Sequence, residues 1–281
     1  MNDFSYKFKD EIPEQKYNRL IDTLKSYGSV AVAFSGGVDS TFLLYAAKMA
    51  LGERAIAITV SADFVSDREQ TEAKEFCQKN GIRQLICPVN MNEIEHFSEN
   101  PKDRCYYCKR HIFSTILKVA GEQGILEVAE GSNLDDNADY RPGHKAIAEL
   151  KIKSPLREVC FTKEEIRQVS KHFDLPTWSK PSFACLASRI PYGDTITSEK
   201  LSIVEKAEGY LHSLGFNQFR VRLHGSIARI ELMPSDFPKF MEDSARLSVY
   251  EYLKSLGFSY ITLDIKGFRS GSMNEGMSHN P

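Results

Sequence analysis

A chain of 281 residues, 42% of them apolar and 26% charged, can build one large domain or two ordinary ones, and it excludes an unstructured or fibrous protein. Its formal net charge of −2 argues against non-specific coating of nucleic acid, though not against a local patch for one RNA. No apolar run reaches the roughly 18 residues needed to cross a bilayer, and the opening stretch MNDFSYKFKDEIPEQK lacks the apolar core of a secretory signal. The expected compartment is therefore the cytoplasm, where thiols stay reduced.

Taken in chain order, the first half alternates strand and helix. Ser29–Phe34 is a short apolar run that reads as a buried strand, and helical sequence follows from Asp39 to Leu51. Arg54–Ser61 is the next strand. Ser66 then caps a helix with an acidic first turn and a closing Gly81. Gln84–Val89 is a third strand, residues Tyr107–Gly121 a helix, and Ile125–Asn133 a fourth strand running into a polar loop. Thr162, three residues before Glu165, starts another capped helix. Strands separated by helices predict a parallel sheet covered on both faces. After Cys185 the pattern changes to a long amphipathic helix (197–216), two strands of alternating charge (218–225 and 226–233), a second long helix (237–258) and a last strand (260–265). The expected architecture is thus an α/β parallel-sheet domain over residues 1–185 and a smaller α+β domain over 186–281. SLGF at Ser213–Phe216 and again at Ser255–Phe258 is a weak internal echo in the latter.

The stretch AFSGGVDSTFLL leaves the first strand, turns on Gly36 and Gly37, and enters a helix. Glycines let backbone amides approach a ligand closely, and the amides at a helix start point at it. Ser35, Ser40 and Thr41 would add hydroxyl donors. A helix dipole is worth only about 0.3–2 kcal/mol to an anion, so a triphosphate here also needs a cation, which Asp39 would help to hold. Neither a Walker loop nor a G-x-G-x-x-G dinucleotide loop is present. The plain alternative, an ordinary strand-to-helix turn, leaves the S-G-G-x-D-S spacing unexplained.

DRCYYCKR places Cys105 and Cys108 three residues apart. By itself such a pair fits a redox couple, half of a zinc site, part of an iron–sulfur site, or chance. Cys77, Cys87 and Cys160 read as small apolar residues.

SGGVDS resembles the phosphate loop of the PP-loop ATP pyrophosphatases. Three further stretches, NADYRPGHKA, SFACLASRIPYG and FRVRLHGSIARIEL with YITLDIKGFRSGSMN, are similar to the LarE family of ATP-dependent sulfur transferases, from Ser29 to Asn274. The resemblance implies cleavage of ATP between its α and β phosphates, with Mg2+ as companion cation and adenine bound near Thr59–Ser61. It implies activation of the carboxylates of a pyridinium dicarboxylate mononucleotide and their conversion to thiocarboxylates, a step towards a nickel-pincer nucleotide. Some members of that family sacrifice the sulfur of one cysteine, and others hold a [4Fe–4S] cluster on three. Cys105, Cys108 and Cys185 favour the cluster, because three thiolates leave one iron open. Sacrifice of Cys185 alone, and zinc completed by His111 or His144, are the alternatives.

Within this resemblance Asp39 and Cys185 carry the chemistry. Asp139 and Arg141, after the fourth strand, join the ATP site at the carboxyl edge of the sheet. Ser188 and Arg189 line the pocket of Cys185. Arg220 and Arg222 share one strand face and, with Glu208 and Glu231, form an anion site for the substrate; a solvated face of ion pairs is the plain alternative. Arg269 is a weaker candidate, and Trp178 and Tyr106 read as packing. A homo-oligomer and a sulfide-delivery protein are expected partners. The rival tRNA thiolase would need a basic groove, which neither the charge balance nor any RNA module supports. A non-catalytic nucleotide sensor would bind ATP without turnover.

Overall fold

Apolar β-branched runs between amphipathic helices can bury both faces only in a sheet covered by helices, and the first half of the chain does this. In the computed structural model, which describes residues 11–138, 142–181, 184–269 and 271–273, the elements run α1 (Glu11–Ser26), β1 (Val30–Ala33), α2 (Val38–Leu51), β2 (Ala55–Ser61), α3 (Asp67–Lys79), β3 (Gln84–Pro88), α4 (Arg104–Glu122), β4 (Val128–Ala129), α5 (Gly143–Glu149), α6 (Pro155–Glu158) and α7 (Lys163–His172). The four strands are parallel in the order β3-β2-β1-β4. Leu20, Leu24, Val32, Phe34, Phe42, Leu44, Phe161 and Val169 meet in the core around α2, which is buried on most of its surface.

The remaining elements are α8 (Ser198–Ser213), β5 (Phe219–His224), β6 (Ile227–Leu232), α9 (Phe237–Met241), α10 (Asp243–Ser255) and β7 (Tyr260–Leu263). β5 and β6 are antiparallel; β7 joins β6 in parallel after the helical crossover. The α/β class with a second small sheet is as the sequence predicts. By packing the chain forms two units, residues 1–95 with 103–182 and residues 96–102 with 183–281.

Local differences have physical causes. α1, passed over in the sequence reading, packs Leu20 and Leu24 into the core. α4 begins at Arg104 rather than Tyr107, so Cys105 joins Cys108 inside the helix rather than lying ahead of it. The fourth strand is only two residues, and Gly131, just beyond it, lies against the start of α2. The second long helix breaks at Glu242, whose φ of −59° and ψ of 138° are extended.

Candidate active site

In the strand order β3-β2-β1-β4 the neighbours of β1 are reached in opposite directions, and the crevice beyond the carboxyl ends of β1 and β4 is where open α/β sheets receive ligands. The SGGVDS loop leaves β1 at this point. Gly36 has φ +69°, a left-handed conformation that favours glycine, while a Cβ there would make only ordinary contact, 3.4 Å from the Glu69 carbonyl and the Ala73 methyl of α3. Gly37 is the N-cap of α2, with no side chain to cap the first-turn amides, the arrangement that binds phosphate. Ser35 Oγ and Ser40 Oγ lie 3.1 Å apart, and Ser40 Oγ donates to the Gly37 carbonyl at 3.2 Å. Thr41 corrects an expectation. It is fully buried, and its hydroxyl finds no hydrogen-bond partner among the described residues, so it offers no exposed donor.

Asp39, in the first turn of α2, is held from two directions. Asn133 Nδ2, beyond β4, donates to Oδ1 at 3.3 Å, and Lys163 Nζ, at the start of α7, donates to Oδ2 at 2.5 Å. Burial pushes the Asp39 carboxyl above the usual carboxylate range, and Lys163 opposes that push. One carboxylate beside bound phosphates is the usual donor set for Mg2+, so the residues present fit that ion, with Lys163 its competitor for Asp39. Gly131 lets the loop after β4 come close: a Cβ there would be 2.9 Å from the Ser40 amide nitrogen. Glu130 fixes the same loop, accepting from the Ser132 amide and hydroxyl at 3.1 and 2.8 Å and from Ser154 Oγ at 2.5 Å. Lys180 Nζ donates to the Gly36 carbonyl at 3.0 Å and to Glu72 at 2.6 Å. Lys163, Lys180, Asn133 and Gly131 were missed by the sequence reading. Lys163 stands 124 residues from Asp39, and no local pattern joins them. Asp139 and Arg141 lie outside the described residues.

Cys105 and Cys108 lie in the first two turns of α4, one exposed and one half-buried. Their i, i+3 spacing puts both on one helix face. Cys185 is half-buried in the second unit, where it precedes a 3-10 turn, Leu186–Arg189. Among the described residues of either unit, no three His, Cys, Asp or Glu side chains gather as a metal-binding group. Cys77 and Cys87 are buried, and burial pushes the Cys77 thiol up to about 12, in keeping with an inert apolar role. Cys160 differs from expectation: it is exposed, at φ +62°.

In the second unit β5 pairs with β6 so that Arg220 faces Glu231 and Arg222 faces Arg229. The charged face is not solvated. Arg220, Arg222 and Glu231 are at most 7% exposed, because Phe268, Ser272 and the turn at Ser188 pack against them. Arg222 donates to both Glu231 oxygens at 3.2 and 3.0 Å, to the Ser188 carbonyl at 2.7 Å and to Ser272 Oγ at 2.8 Å. Arg229 reaches Glu231 at 2.9 Å, and Arg269 reaches Asp264 at 3.2 Å. Arg220 sits 4.9 Å from the centre of the Phe268 ring and donates to the Phe219 carbonyl. Burial, and then the charge of Arg189, pull its guanidinium down to about 10. It remains a cation at neutral pH, and an arriving anion would relieve its desolvation. Arg189 and Glu208 form a bidentate pair at 2.8 Å.

A family model for the PP-loop domain matches residues 9–139. An uncharacterized protein of Synechocystis is 39% identical over 93% of this chain and 97% of its own length. Pyridinium-3,5-bisthiocarboxylic acid mononucleotide synthase of Lactiplantibacillus plantarum is 36% identical over 92% of this chain and 94% of its own. A glutamine-hydrolyzing GMP synthase of Pyrobaculum aerophilum is 26% identical over 69% of this chain but only 43% of its own length.

Proposed function

The chain belongs to the LarE family of ATP-dependent sulfur transferases, and from that membership we propose that its substrate is the pyridinium-3,5-dicarboxylate mononucleotide, made into thiocarboxylates for a nickel-pincer nucleotide. It is an ATP-dependent sulfurtransferase forming AMP and pyrophosphate. The observation that carries the substrate is likeness to the Lactiplantibacillus plantarum synthase across 94% of that relative, the second unit included.

A substrate carboxylate oxygen attacks the α-phosphorus of ATP, the bond to the β-phosphate oxygen breaks, and pyrophosphate leaves. The amides after Gly37, with Ser35, Ser40, Lys163 and Lys180, take the pyrophosphate charge; Asp39 would hold the companion Mg2+. A sulfur nucleophile then attacks the acyl carbon of the acyl adenylate, and AMP departs as the carbon–oxygen bond breaks. Arg220, whose buried guanidinium an arriving anion would stabilise, receives the anionic groups of the mononucleotide, while Arg222 serves Glu231, Ser188 and Ser272.

For the sulfur, we favour a [4Fe–4S] cluster that Cys105, Cys108 and Cys185 would hold and that would supply the sulfide. Cys105 and Cys108 share one face of α4, as two ligands of one cluster would. A second reading rests on Cys185 standing alone in its unit. Its own sulfur attacks the acyl carbon and AMP leaves; loss of the Cα proton then breaks the Cβ–S bond, giving the thiocarboxylate and dehydroalanine. A homo-oligomer and a sulfide-delivery protein belong to the same reading as expectations.

Purified protein given ATP should release AMP and pyrophosphate only with the pyridinium dicarboxylate nucleotide. ADP as the product would refute the mechanism. About four irons per chain after anaerobic reconstitution, lost in Cys105→Ala, Cys108→Ala or Cys185→Ala, is the cluster's signature. Active iron-free protein whose Cys185 becomes lighter by the mass of one hydrogen sulfide would establish sacrifice instead.

A further inference from the structure

Arg189 is the largest fully buried side chain among the described residues, with 1% of its surface exposed. Every nitrogen of its guanidinium is engaged inside the second unit. Nε and Nη2 donate to the two oxygens of Glu208, each at 2.8 Å. Nη1 donates to the Ala184 carbonyl at 2.6 Å, the Ser188 hydroxyl at 2.9 Å and the Cys185 carbonyl at 3.2 Å. Glu208 Oε1 also accepts the Val221 amide of β5 at 3.0 Å. One ion pair thus ties the backbone of Ala184–Cys185 to α8 and to the strand that carries Arg220 and Arg222.

We propose that Arg189 and Glu208 are positioning residues that hold the Cys185 loop in register with β5, and that Arg189 is not a substrate contact. A buried, bidentate guanidinium whose remaining nitrogen reaches two successive carbonyls of one loop has the geometry of a clamp. Its strength comes from being dry, because an unpaired Glu208 or unpaired carbonyls would carry their full desolvation cost. The loop's role in sulfur transfer rests on the function proposed above; the clamp itself does not.

Because Arg189→Ala would strand Glu208 and could unfold the unit, the test uses Arg189→Lys and the charge-free double variant Arg189→Met with Glu208→Gln. Hydrogen exchange of amides 184–189 should accelerate about tenfold or more while interior amides of β5 and β6 stay within about twofold. Substrate-dependent pyrophosphate release should stay within about threefold, and thiocarboxylate formed per pyrophosphate should fall at least about tenfold, since the acyl adenylate then meets a misplaced sulfur. Lysine keeps the charge but lacks the fork, so it should not rescue. Exchange that is unchanged, or that rises equally in the sheet, overturns the clamp. Parallel loss of pyrophosphate and product returns Arg189 to substrate binding. If the native protein releases no pyrophosphate with the nucleotide, the proposed function fails, while the exchange measurement still decides the clamp.

Discussion

Gly131 shows how a single atom's absence shapes the ATP site. A methyl group there would stand 2.9 Å from the Ser40 nitrogen and 3.1 Å from Asp39 Cβ, both on the rigid start of α2. Gly131→Ala should therefore displace the phosphate loop, costing about 1–3 kcal/mol of stability by overpacking and at least about tenfold in ATP affinity through misplaced donors. Gly121→Ala, in α4 with nothing within 4 Å of the added methyl, is the control and should stabilise by about 0.4–1 kcal/mol. Isothermal titration with ATP and thermal melting check both. Arg220 and Arg222 share a strand face but not a role. Arg220→Ala should weaken the pyridinium dicarboxylate nucleotide about ten- to hundredfold. Arg222→Ala leaves Glu231, which is completely buried, without its bidentate partner, and should lower stability by about 3 kcal/mol or more. ATP binding should be unchanged in both. Equal loss of both ligands in Arg220→Ala would count against the anion site.

At the scale of elements, helix ends decide which side chains reach the site. The capping box of α7 has both halves in place: the Glu165 amide donates to Thr162 Oγ1 at 3.3 Å, and the Thr162 amide donates to the Glu165 carboxylate at 2.8 Å. It presents Lys163, the first residue of the helix, to Asp39. Lys16 of α1 donates to both oxygens of the same Glu165 at 2.7 Å, tying two helices through one carboxylate. Burial raises the Glu165 pKa, but Lys16 and Thr162 outweigh it and hold the group below its ordinary 4.5. A carboxyl depressed in the folded state stabilises the fold fully above its unfolded value, and that contribution is lost as pH falls through the folded one. Glu165→Gln should thus cost about 1–2 kcal/mol near neutrality, and urea titrations should show the gap to the native protein closing below the ordinary carboxylate range. A gap independent of pH would mean that packing, not charge, is what the variant loses.

At the scale of the whole molecule, the second unit is built from two stretches of chain, and the shorter is residues 96–102. Asn100 makes it part of that unit. The side chain is completely buried and donates to the carbonyls of Ile190, Pro191 and Asp194 at 3.2, 2.6 and 3.3 Å, while its own backbone carbonyl accepts the Gly193 amide at 3.0 Å. Its φ of +54° is one that Asn tolerates better than most residues. Asn100→Ala should lose about 2–3 kcal/mol, with faster hydrogen exchange confined to the second unit and ATP binding retained by the first. Loss of ATP binding alongside would show that this segment also supports the phosphate loop.

The sequence by itself determined the alternation of strand and helix, the change of pattern near Cys185, and the phosphate loop, because each is written in neighbouring residues: a period of two, a period of 3.6, or a glycine pair at a strand-to-helix junction. It also marked Arg220, Arg222 and Glu231 on one small sheet, with Glu208 on the helix before it, as a charged group. Only the tertiary structure decided what those charges face. Arg189 turns inward to hold the Cys185 loop, Arg222 is taken up by Glu231, and Asp39 meets Lys163 and Asn133 across more than ninety residues of chain. Local pattern fixes which element forms and which side of it a residue occupies. Which distant group arrives on that side, and whether water remains there, depends on how the elements pack, and that alone separates a solvated arginine from a buried clamp.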